Sequence, residues 1–203
     1  MLDKSVPYVD VLMCRKKGTP VVSFELPNEY KFALFHSGDE KAWAKIETAV
    51  LEFPDEAEAL LYFQTDYLPF TAELEKRCLF IETREGEKIA TAAMWWCYSG
   101  SRRDPWLQWV AVHPKYQGLG LGKAIVSKIT QMMIDLEGDR DFYLHTQTWN
   151  HKAVRIYELF GYAVTSERNL FKYTNENYEK AVAVLERIDK AQRGCPPGFA
   201  GSL

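Results

Sequence analysis

Several features that would place the chain in a special class of protein are missing from its sequence. Its four cysteines are far apart and form no Cys-x-x-Cys pair, so neither a disulfide framework nor a zinc site is indicated, and reduced thiols are expected. No apolar run approaches the roughly 20 residues that span a bilayer. The first residues lack the basic region and hydrophobic core of a signal peptide. These absences predict a cytoplasmic protein with no membrane partner and no bound metal.

The chain also lacks the excess of basic residues that a nucleic-acid-binding surface needs. Its 25 Lys and Arg are outnumbered by 28 Asp and Glu, which gives a formal net charge of −3. Because binding to a phosphate backbone depends on clustered cations, this balance argues against a nucleic-acid partner. The length of 203 residues predicts one domain with at most a small appendage.

Residues 106–123 have the composition of a buried strand followed by a phosphate-binding turn. The strand is β-branched and aromatic, and Pro114, which cannot donate to a sheet, ends it. Glycines then occupy alternate positions before a helical pattern; they are Gly118, Gly120 and Gly122. Glycine lets a ligand approach the backbone, and the first N–H groups of a helix have no intrahelical partner. With the helix dipole and the charge of Lys123, this arrangement predicts a pyrophosphate site.

The spacing of this turn excludes two familiar phosphate-binding motifs. The ATP-binding P-loop needs Gly, four residues, then Gly-Lys-Ser/Thr, but Gln117 and Ala124 stand at its first and last positions. The dinucleotide fingerprint G-x-G-x-x-G does not match a G-x-G-x-G turn. The pattern Gln/Arg-x-x-Gly-x-Gly after Val-x-Pro does match, and it resembles the acetyl-CoA-binding motif of the GNAT superfamily of N-acetyltransferases.

A second stretch downstream also resembles this family. The pattern Asn-x-x-Ala-x-x-Ile-Tyr-x-x-x-Gly-Tyr begins at Asn150 and is similar to the family's Asn-x-x-Ala-x-x-Leu-Tyr-x-x-x-Gly-Phe motif. The two motifs cover residues 106–124 and 142–163, and a looser resemblance covers about 30–173. The sequence itself favours a mixed sheet with helices on both faces. The resemblance implies an α/β (mixed α+β) GNAT fold whose central sheet is splayed beside the motif strand.

The resemblance also implies which residues bind the cofactor. The backbone of the motif strand would bind pantetheine and face the thioester, and the N–H groups of the turn would hold the pyrophosphate. Asn150 is either a cofactor contact or the cap of the helix that follows it. The expected acetyl-CoA-binding residues are Val110, Ala111, Val112, Gln117, Gly118, Leu119, Gly120, Leu121, Gly122, Lys123, Asn150 and Tyr157.

Acetyl transfer to an amine needs groups that move protons. An ammonium with a pKa near ~10.4 must lose a proton before it attacks, and the departing thiolate gains from a proton donor. Tyr157 matches the family's usual general acid, with a packed tyrosine as the alternative. Many relatives carry an acidic residue on the motif strand, but Gln108 and Trp109 stand there in this chain. His145, on the next predicted strand, is the leading candidate for the base. Glu82 and Asp104 are weaker alternatives, and a water relay with no single base also stays open. His113, in the turn after the motif strand, is expected at the surface near the CoA.

The chain divides into three expected parts. Residues 8–14 and 20–26 flank a basic turn and predict an N-terminal β-hairpin extension over 1–29, either an extra edge element or a substrate flap. The GNAT domain is expected over 30–190 and a flexible tail over 191–203. Within the domain, the aromatic stretch 62–70 is either core and loop or a wall of the acceptor site.

The resemblance implies transfer of the acetyl group of acetyl-CoA to a primary amine, on a small molecule or a peptide, by direct attack in a ternary complex. The absent strand carboxylate keeps open an alternative, a non-catalytic acyl-CoA-binding or sensing domain. Transfer of a longer acyl group, or transfer to a hydroxyl, also stays open. Dimers are frequent in the family, so a homodimer is an alternative to a monomer.

Overall fold

One seven-stranded sheet organises the computed structural model, which describes residues 2–193. Its strands are β1 Asp10–Arg15, β2 Tyr30–Leu34, β3 Cys78–Thr83, β4 Lys88–Ser99, β5 Arg102–Val112, β6 Phe142–Gln147 and β7 Tyr162–Val164. They lie in the order β2-β3-β4-β5-β6-β1-β7. Every neighbouring pair is antiparallel except β5 and β6, which are parallel. The predicted mixed sheet is therefore confirmed.

Six helices cover the two faces of this sheet, as the sequence predicts. They are α1 Glu40–Ala49, α2 Glu56–Asp66, α3 Thr71–Arg77, α4 Leu121–Glu137, α5 His151–Leu159 and α6 Tyr178–Arg193. One face packs against α1, α2 and α3, which contribute Trp43 and Phe63 to a buried aromatic cluster. The opposite face packs against α4, α5 and α6, which contribute Ile125, Tyr157 and Leu185 to the larger core.

The two parallel strands pair over a short distance and then separate. Only two residue pairs join β5 to β6, and the second is Leu107 with Leu144. β5 nevertheless continues to Val112 and β6 to Gln147. Beyond Leu107 the facing edges of the two strands therefore carry main-chain groups that do not pair with each other. The expected splay beside the motif strand is confirmed.

A β-bulge lies on the other side of β5 at the same level. Thr91 of β4 pairs with Ala111 and Ala93 pairs with Gln108, so one residue of β4 faces two residues of β5. Trp109, inside the bulge, has a φ of 53°. A bulge bends its strand and turns side chains away from their regular directions. The bulge and the splay together make residues 108–112 the most irregular part of the sheet.

The N-terminal segment belongs to the sheet, and the predicted hairpin extension is wrong. β1 lies between β6 and β7 and pairs antiparallel with both, so neither of its edges is free for residues 20–26. Those residues form no strand and instead cross α4. There Ser127 Oγ accepts the N–H of Phe24 at 3.1 Å and donates to the C=O of Val22 at 3.0 Å.

The C-terminal boundary also differs from the expected one. α6 continues to Arg193, three residues beyond the expected end of the domain, and the rest of the expected tail, 194–203, lies outside the described residues. Within residues 2–193, none of the helices is long and apolar enough to cross a bilayer.

Candidate active site

The glycine-rich turn joins the end of β5 to the N-terminus of α4. Gly118 and Gly120 have φ values of 83° and 81°, in the left-handed region where a side chain is unfavourable. Gly120 is the N-cap residue of α4. A Cβ on Gly122 would lie 3.4 Å from the Cδ1 of Ile156, so α5 approaches the same turn. The backbone conformation of this turn therefore explains why the sequence has glycine at these positions.

The turn presents a run of main-chain donors. The N–H of Gln117 already donates to the C=O of Pro114 at 3.3 Å, and that of Lys123 donates to the C=O of Gly120 at 3.0 Å. Five consecutive N–H groups have no main-chain acceptor in the described part of the chain; they belong to Gly118, Leu119, Gly120, Leu121 and Gly122. Such a group of N–H donors at a helix N-terminus is a site for an anion.

Side chains at the two ends of the turn support this arrangement. Gln117 Nε2 donates to the C=O of Val112 at 2.9 Å, which holds the turn against the end of β5. Lys123 is exposed, and its ammonium lies 5.4 Å from the ring centroid of Phe24. An anion at the turn would meet the positive end of α4 together with this ammonium.

The motif strand lies directly upstream of the turn. Ala111 and Val112 pair with Thr91 and Ala90 of β4, while Val110 to Val112 all lie beyond the last residue of β5 that pairs with β6. This edge can therefore bind an extended ligand that carries its own amide groups, as a neighbouring strand would.

Tyr157 lies on α5, in the core that packs against one face of the sheet. It belongs to the same core cluster as Leu107 and Leu144, the last pair between β5 and β6. Burial raises the pKa of its hydroxyl, and the carboxylates of Glu47 and Glu52 raise it further. The hydroxyl is therefore protonated at neutral pH and is able to donate a proton.

Asn150 occupies the N-cap position of α5, but its side chain makes no capping hydrogen bond. The structural alternative for this residue, a helix cap, is therefore not realised through its side chain. Asn150 is half-buried and follows a short turn that ends β6. Its amide is available to a ligand between β6 and α5.

His145 is the first residue of β6 beyond the last pair with β5. Its Nε2 lies 3.0 Å from Oδ1 of Asp10 on β1, and its ring stacks on Tyr173 with centroids 4.3 Å apart. Burial lowers the pKa of the imidazole, and the hydrogen bond with Asp10 opposes this effect. A neutral imidazole at the splay can accept a proton.

A hydrogen-bonded network of side chains lines β5 at the bulge. The hydroxyl of Tyr67 accepts from Trp109 Nε1 and donates to Gln108 Oε1, both at 2.6 Å. Gln108 Nε2 donates to Cys97 Sγ at 3.4 Å, so both ends of its amide are engaged. Tyr62 stands beside this network, with its ring 5.3 Å from that of Trp109.

The aromatic stretch 62–70 lies partly in the core and partly beside β5, and its role as a wall of the acceptor site stays a prediction. Phe63 is buried in the core against Trp43, with ring centroids 4.8 Å apart. Tyr62 and Tyr67 face the bulge of β5 instead. The helix α2 therefore supplies core packing from one side and an aromatic wall from the other.

The remaining candidate bases are engaged in other contacts. Glu82 pairs with Lys31 at 2.9 Å and with Lys88 at 3.3 Å. Asp104 pairs with Arg102 at 2.7 Å. The Nδ1 of His113 accepts the N–H of Lys115 in the turn after β5.

Two carboxylates near Tyr157 have no place in the sequence-based prediction. Glu47, on α1, is buried, and its Oε1 has no hydrogen-bond partner in the described part of the chain. Burial, with a smaller contribution from Glu52, raises its pKa well above the ordinary value. Glu47 could have been noticed in the sequence, because it stands in the middle of the apolar face that Trp43 and Val50 define on this helix.

A splayed mixed sheet and a run of N–H groups without main-chain acceptors at the start of α4 are the features expected of a GNAT-type acyltransferase. The sequence model of the Acetyltransferase (GNAT) family matches residues 41–162. The chain belongs to this family.

Curated relatives match a shorter part of the chain. Thialysine N-epsilon-acetyltransferases of Sus scrofa and Mus musculus are 36% and 34% identical to it over 59 residues. This match covers 29% of the chain and 34% of each relative, so the chain spans about a third of the length of the curated relatives that it matches.

Solved structures extend the likeness to most of the fold. A GCN5-related N-acetyltransferase from Sphaerobacter thermophilus has a TM-score of 0.63 and 21% identity, covering 79% of this chain and 49% of that one. A GNAT-family acetyltransferase from Colwellia psychrerythraea has a TM-score of 0.56 and 13% identity, covering 78% and 54%. At these identities the likeness concerns the fold, which is the GNAT fold.

Proposed function

We propose that the protein transfers the acetyl group of acetyl-CoA to a primary amine by direct attack within a ternary complex. One observation carries this proposal: five N–H groups of the turn have no main-chain acceptor in the described part of the chain, and the edge of β5 that β6 leaves unpaired lies directly upstream of them. The hydroxyl of Tyr157, in the core cluster that contains the last paired residues of β5 and β6, is the proposed acid. A pyrophosphate at the turn and an extended pantetheine along residues 110–112 would lead a thioester to that hydroxyl. When bound, acetyl-CoA supplies an activated carbonyl group.

The chain's own residues supply the proton donor. Because its pKa is raised, Tyr157 keeps its proton at neutral pH and donates it to the departing sulfur. The half-buried amide of Asn150, free of a capping bond, completes the cofactor side. The neutral imidazole of His145, oriented by Asp10, lies on the acceptor side of the splay and is the base candidate from the sequence.

The acceptor side suits a positively charged group on an apolar body. Tyr62, Tyr67 and Trp109 provide aromatic faces beside the bulge, and Glu47 provides a carboxylate on α1, which packs on β5. Aromatic rings attract cations, and a carboxylate strengthens this attraction. An alkylammonium fits these properties better than a neutral hydroxyl does. Both curated relatives are named N-epsilon-acetyltransferases, which agrees with an amine acceptor.

The alternative is a non-catalytic acyl-CoA-binding domain. The feature that favours it is Gln108, which replaces the strand carboxylate and has both ends of its amide engaged with Tyr67 and Cys97. A pure binding domain would still use the turn and the strand edge. It would have no need for an acidic hydroxyl at Tyr157 or for the carboxylates opposite it.

A thiol-release assay separates these functions. The purified protein is incubated with acetyl-CoA and a panel of amines that includes alkylamines, diamines, lysine analogues and peptides with free N-termini. Free thiol and acetylated product should appear together with at least one amine. Binding of coenzyme A by calorimetry, with no thiol release for any amine or hydroxyl acceptor, would support the binding domain instead.

A further inference from the structure

We propose that Glu47 accepts the proton that the amine loses during acetyl transfer, in place of the carboxylate that β5 lacks. This inference rests on the proposed function and adds a catalytic residue to it. It starts from the position of Glu47 on α1, whose inner face packs on β4 and β5.

The carboxylate lies on the face of α1 that meets the bulge. Glu47 is one helical turn beyond Trp43, so the two side chains share a face. The ring of Trp43 lies 5.2 Å from that of Trp109, and Ala111 belongs to the same buried cluster. Glu47 therefore stands over the part of β5 that would bind the pantetheine.

One carboxylate oxygen of Glu47 forms no hydrogen bond with the described part of the chain. In the described part of the chain, Glu47 Oε1 has no hydrogen-bond partner, and neither has Trp43 Nε1 or Thr48 Oγ1, which lie within two turns of the same helix. Burial of an unpaired carboxylate is costly, and such a group calls for an explanation. A binding site for a water molecule or an ammonium group supplies one.

Glu137 shows how this protein stabilises a buried carboxylate that has a structural role. Glu137 is less completely buried than Glu47, and its Oε1 accepts from Arg77 at 2.7 Å and its Oε2 from Arg103 at 2.8 Å. These charge-assisted bonds lower the pKa of Glu137 against the effect of burial. Among the described residues, Glu47 pairs with no such cation, so its burial destabilises the fold.

Glu47 and Tyr157 lie on helices that pack against opposite faces of the sheet. Tyr157 belongs to the core under α4, α5 and α6, whereas α1 lies on the other face of the sheet. Their charges nevertheless interact, since Glu47 and Glu52 are the carboxylates that raise the pKa of Tyr157. A proton acceptor on one side and a proton donor on the other is the arrangement that acyl transfer requires. By contrast, His145 is held by Asp10 and Tyr173.

The protons balance in this scheme. The N–C bond forms, the C–S bond breaks, and the ammonium gives up two protons. The first passes to Glu47, directly or through one water molecule, and then to solvent. Tyr157 protonates the sulfur, and the second proton of the nitrogen restores the Tyr157 hydroxyl. A raised pKa makes Glu47 a better acceptor near neutral pH than an ordinary carboxylate.

The test compares Glu47→Gln with Glu56→Gln, a matched change at an exposed glutamate at the start of α2. Glu47→Gln should lower kcat by about 100-fold or more at neutral pH and leave the Kd for coenzyme A unchanged. The loss should shrink as the pH approaches the pKa of the amine, because free amine then needs no base. Its Tm should rise, because an unpaired buried charge is removed. Glu56→Gln should change none of these quantities.

Other titratable groups face Glu47, namely Glu52 after α1, Cys78 on β3 and Tyr157 on α5. The pH profile is therefore also measured in Glu52→Gln, which should keep most of the turnover. A second variant, Glu47→Asp, retains a carboxylate and should recover part of the activity that Glu47→Gln loses.

Two results would overturn the proposal and identify what failed. Wild-type kcat in Glu47→Gln, or a parallel fall in Tm and in coenzyme A affinity, would remove Glu47 as the proton acceptor and leave the proposed function standing. A wild-type protein that binds coenzyme A and releases no thiol with any amine would overturn the proposed function, and the role of Glu47 with it.

Discussion

The proposed cofactor side and the proposed acceptor side of this protein are built in different ways. The cofactor side is one continuous stretch, residues 110–123, and its donors are main-chain N–H groups. The acceptor side combines side chains from α1, α2, β5 and β6, among them Glu47, Tyr67, Gln108 and His145. The first depends on the conformation of a single turn, and the second depends on how distant segments pack.

This difference predicts how each side responds to mutation. A main-chain site is insensitive to most side-chain changes but fails when the turn is blocked or its left-handed conformation is lost. A side-chain site loses its properties gradually, because each group contributes a separate contact or proton transfer. Substitutions on the two sides should therefore separate coenzyme A affinity from turnover and from the KM for the amine.

The largest effect is expected from Gly120→Glu. A side chain at φ 81° is strained, and its carboxylate would repel the pyrophosphate, so coenzyme A binding should be abolished in calorimetry. Gly86→Glu is the matched control, since Gly86 has a φ of 90° in the turn between β3 and β4, with nothing within 4 Å of a Cβ. Equal affinity in Gly120→Glu and the wild type would contradict the assignment of the site.

The second-largest effect is expected from Tyr157→Phe. Removal of the proton donor should lower kcat by about 10²- to 10⁴-fold, while the Kd for coenzyme A changes little because the main-chain contacts remain. Tyr162→Phe is the control, because Tyr162 is a buried neighbour whose hydroxyl also lacks a partner in the described part of the chain. If both variants turned over at the same rate, Tyr157 would be no more than a packed residue.

A smaller effect is expected from Tyr67→Phe, on the acceptor side. Loss of the hydroxyl leaves Trp109 Nε1 and Gln108 Oε1 without their shared partner, a loss on the order of 1–3 kcal/mol. Steady-state kinetics should show a higher KM for the amine and an unchanged KM for acetyl-CoA. Tyr98→Phe, at an exposed position on β4, should change neither. A change confined to the KM for acetyl-CoA would reverse the assignment of the two sides.

The smallest effect concerns stability and pH. Because the pKa of Glu47 is raised on folding, the native state binds more protons than the unfolded state between the ordinary pKa and the raised one. The stability of the wild type should therefore be intact below about pH 4.5 and should fall as the pH rises through the raised pKa, in comparison with Glu47→Gln. Denaturation at a series of pH values measures this difference. A constant gap between the two proteins would show that Glu47 does not titrate as described.

The turn between β5 and α4 could be predicted from sequence because its requirements are local. The positive φ of Gly118 and Gly120, the proline after β5 and the free N–H groups of α4 all follow from neighbouring residues. The same holds for the second motif, where α5 begins at His151 next to Asn150. The splay was implied by resemblance to the family and is visible in the pairing of β5 with β6.

The N-terminal strand could not be placed from local patterns. The basic turn exists, with Thr19 N–H bonded to the C=O of Lys16 at 3.2 Å, so the hairpin signal was correct for the turn alone. The partners of β1 are β6 and β7, more than a hundred residues away in sequence, and no local pattern encodes them. As a result, Asp10, which orients His145, was missed with the strand.

The acceptor side was predictable only in outline for the same reason. Tyr67 and Gln108 are 41 residues apart and meet only through the packing of α2 on the bulge. Glu47 was missed, although a glutamate in the middle of an apolar helix face is visible in the sequence. Its neighbours Trp109 and Tyr157 come from two other parts of the fold.

The central claim is that main-chain amides between β5 and α4 bind the diphosphate and thereby bring the thioester to Tyr157. A crystal structure of the protein with coenzyme A tests it most directly. We expect phosphate oxygens within hydrogen-bond distance of the N–H groups of residues 118–122, and the sulfur beside the Tyr157 hydroxyl. Density for the diphosphate at any other place on the molecule would contradict the claim.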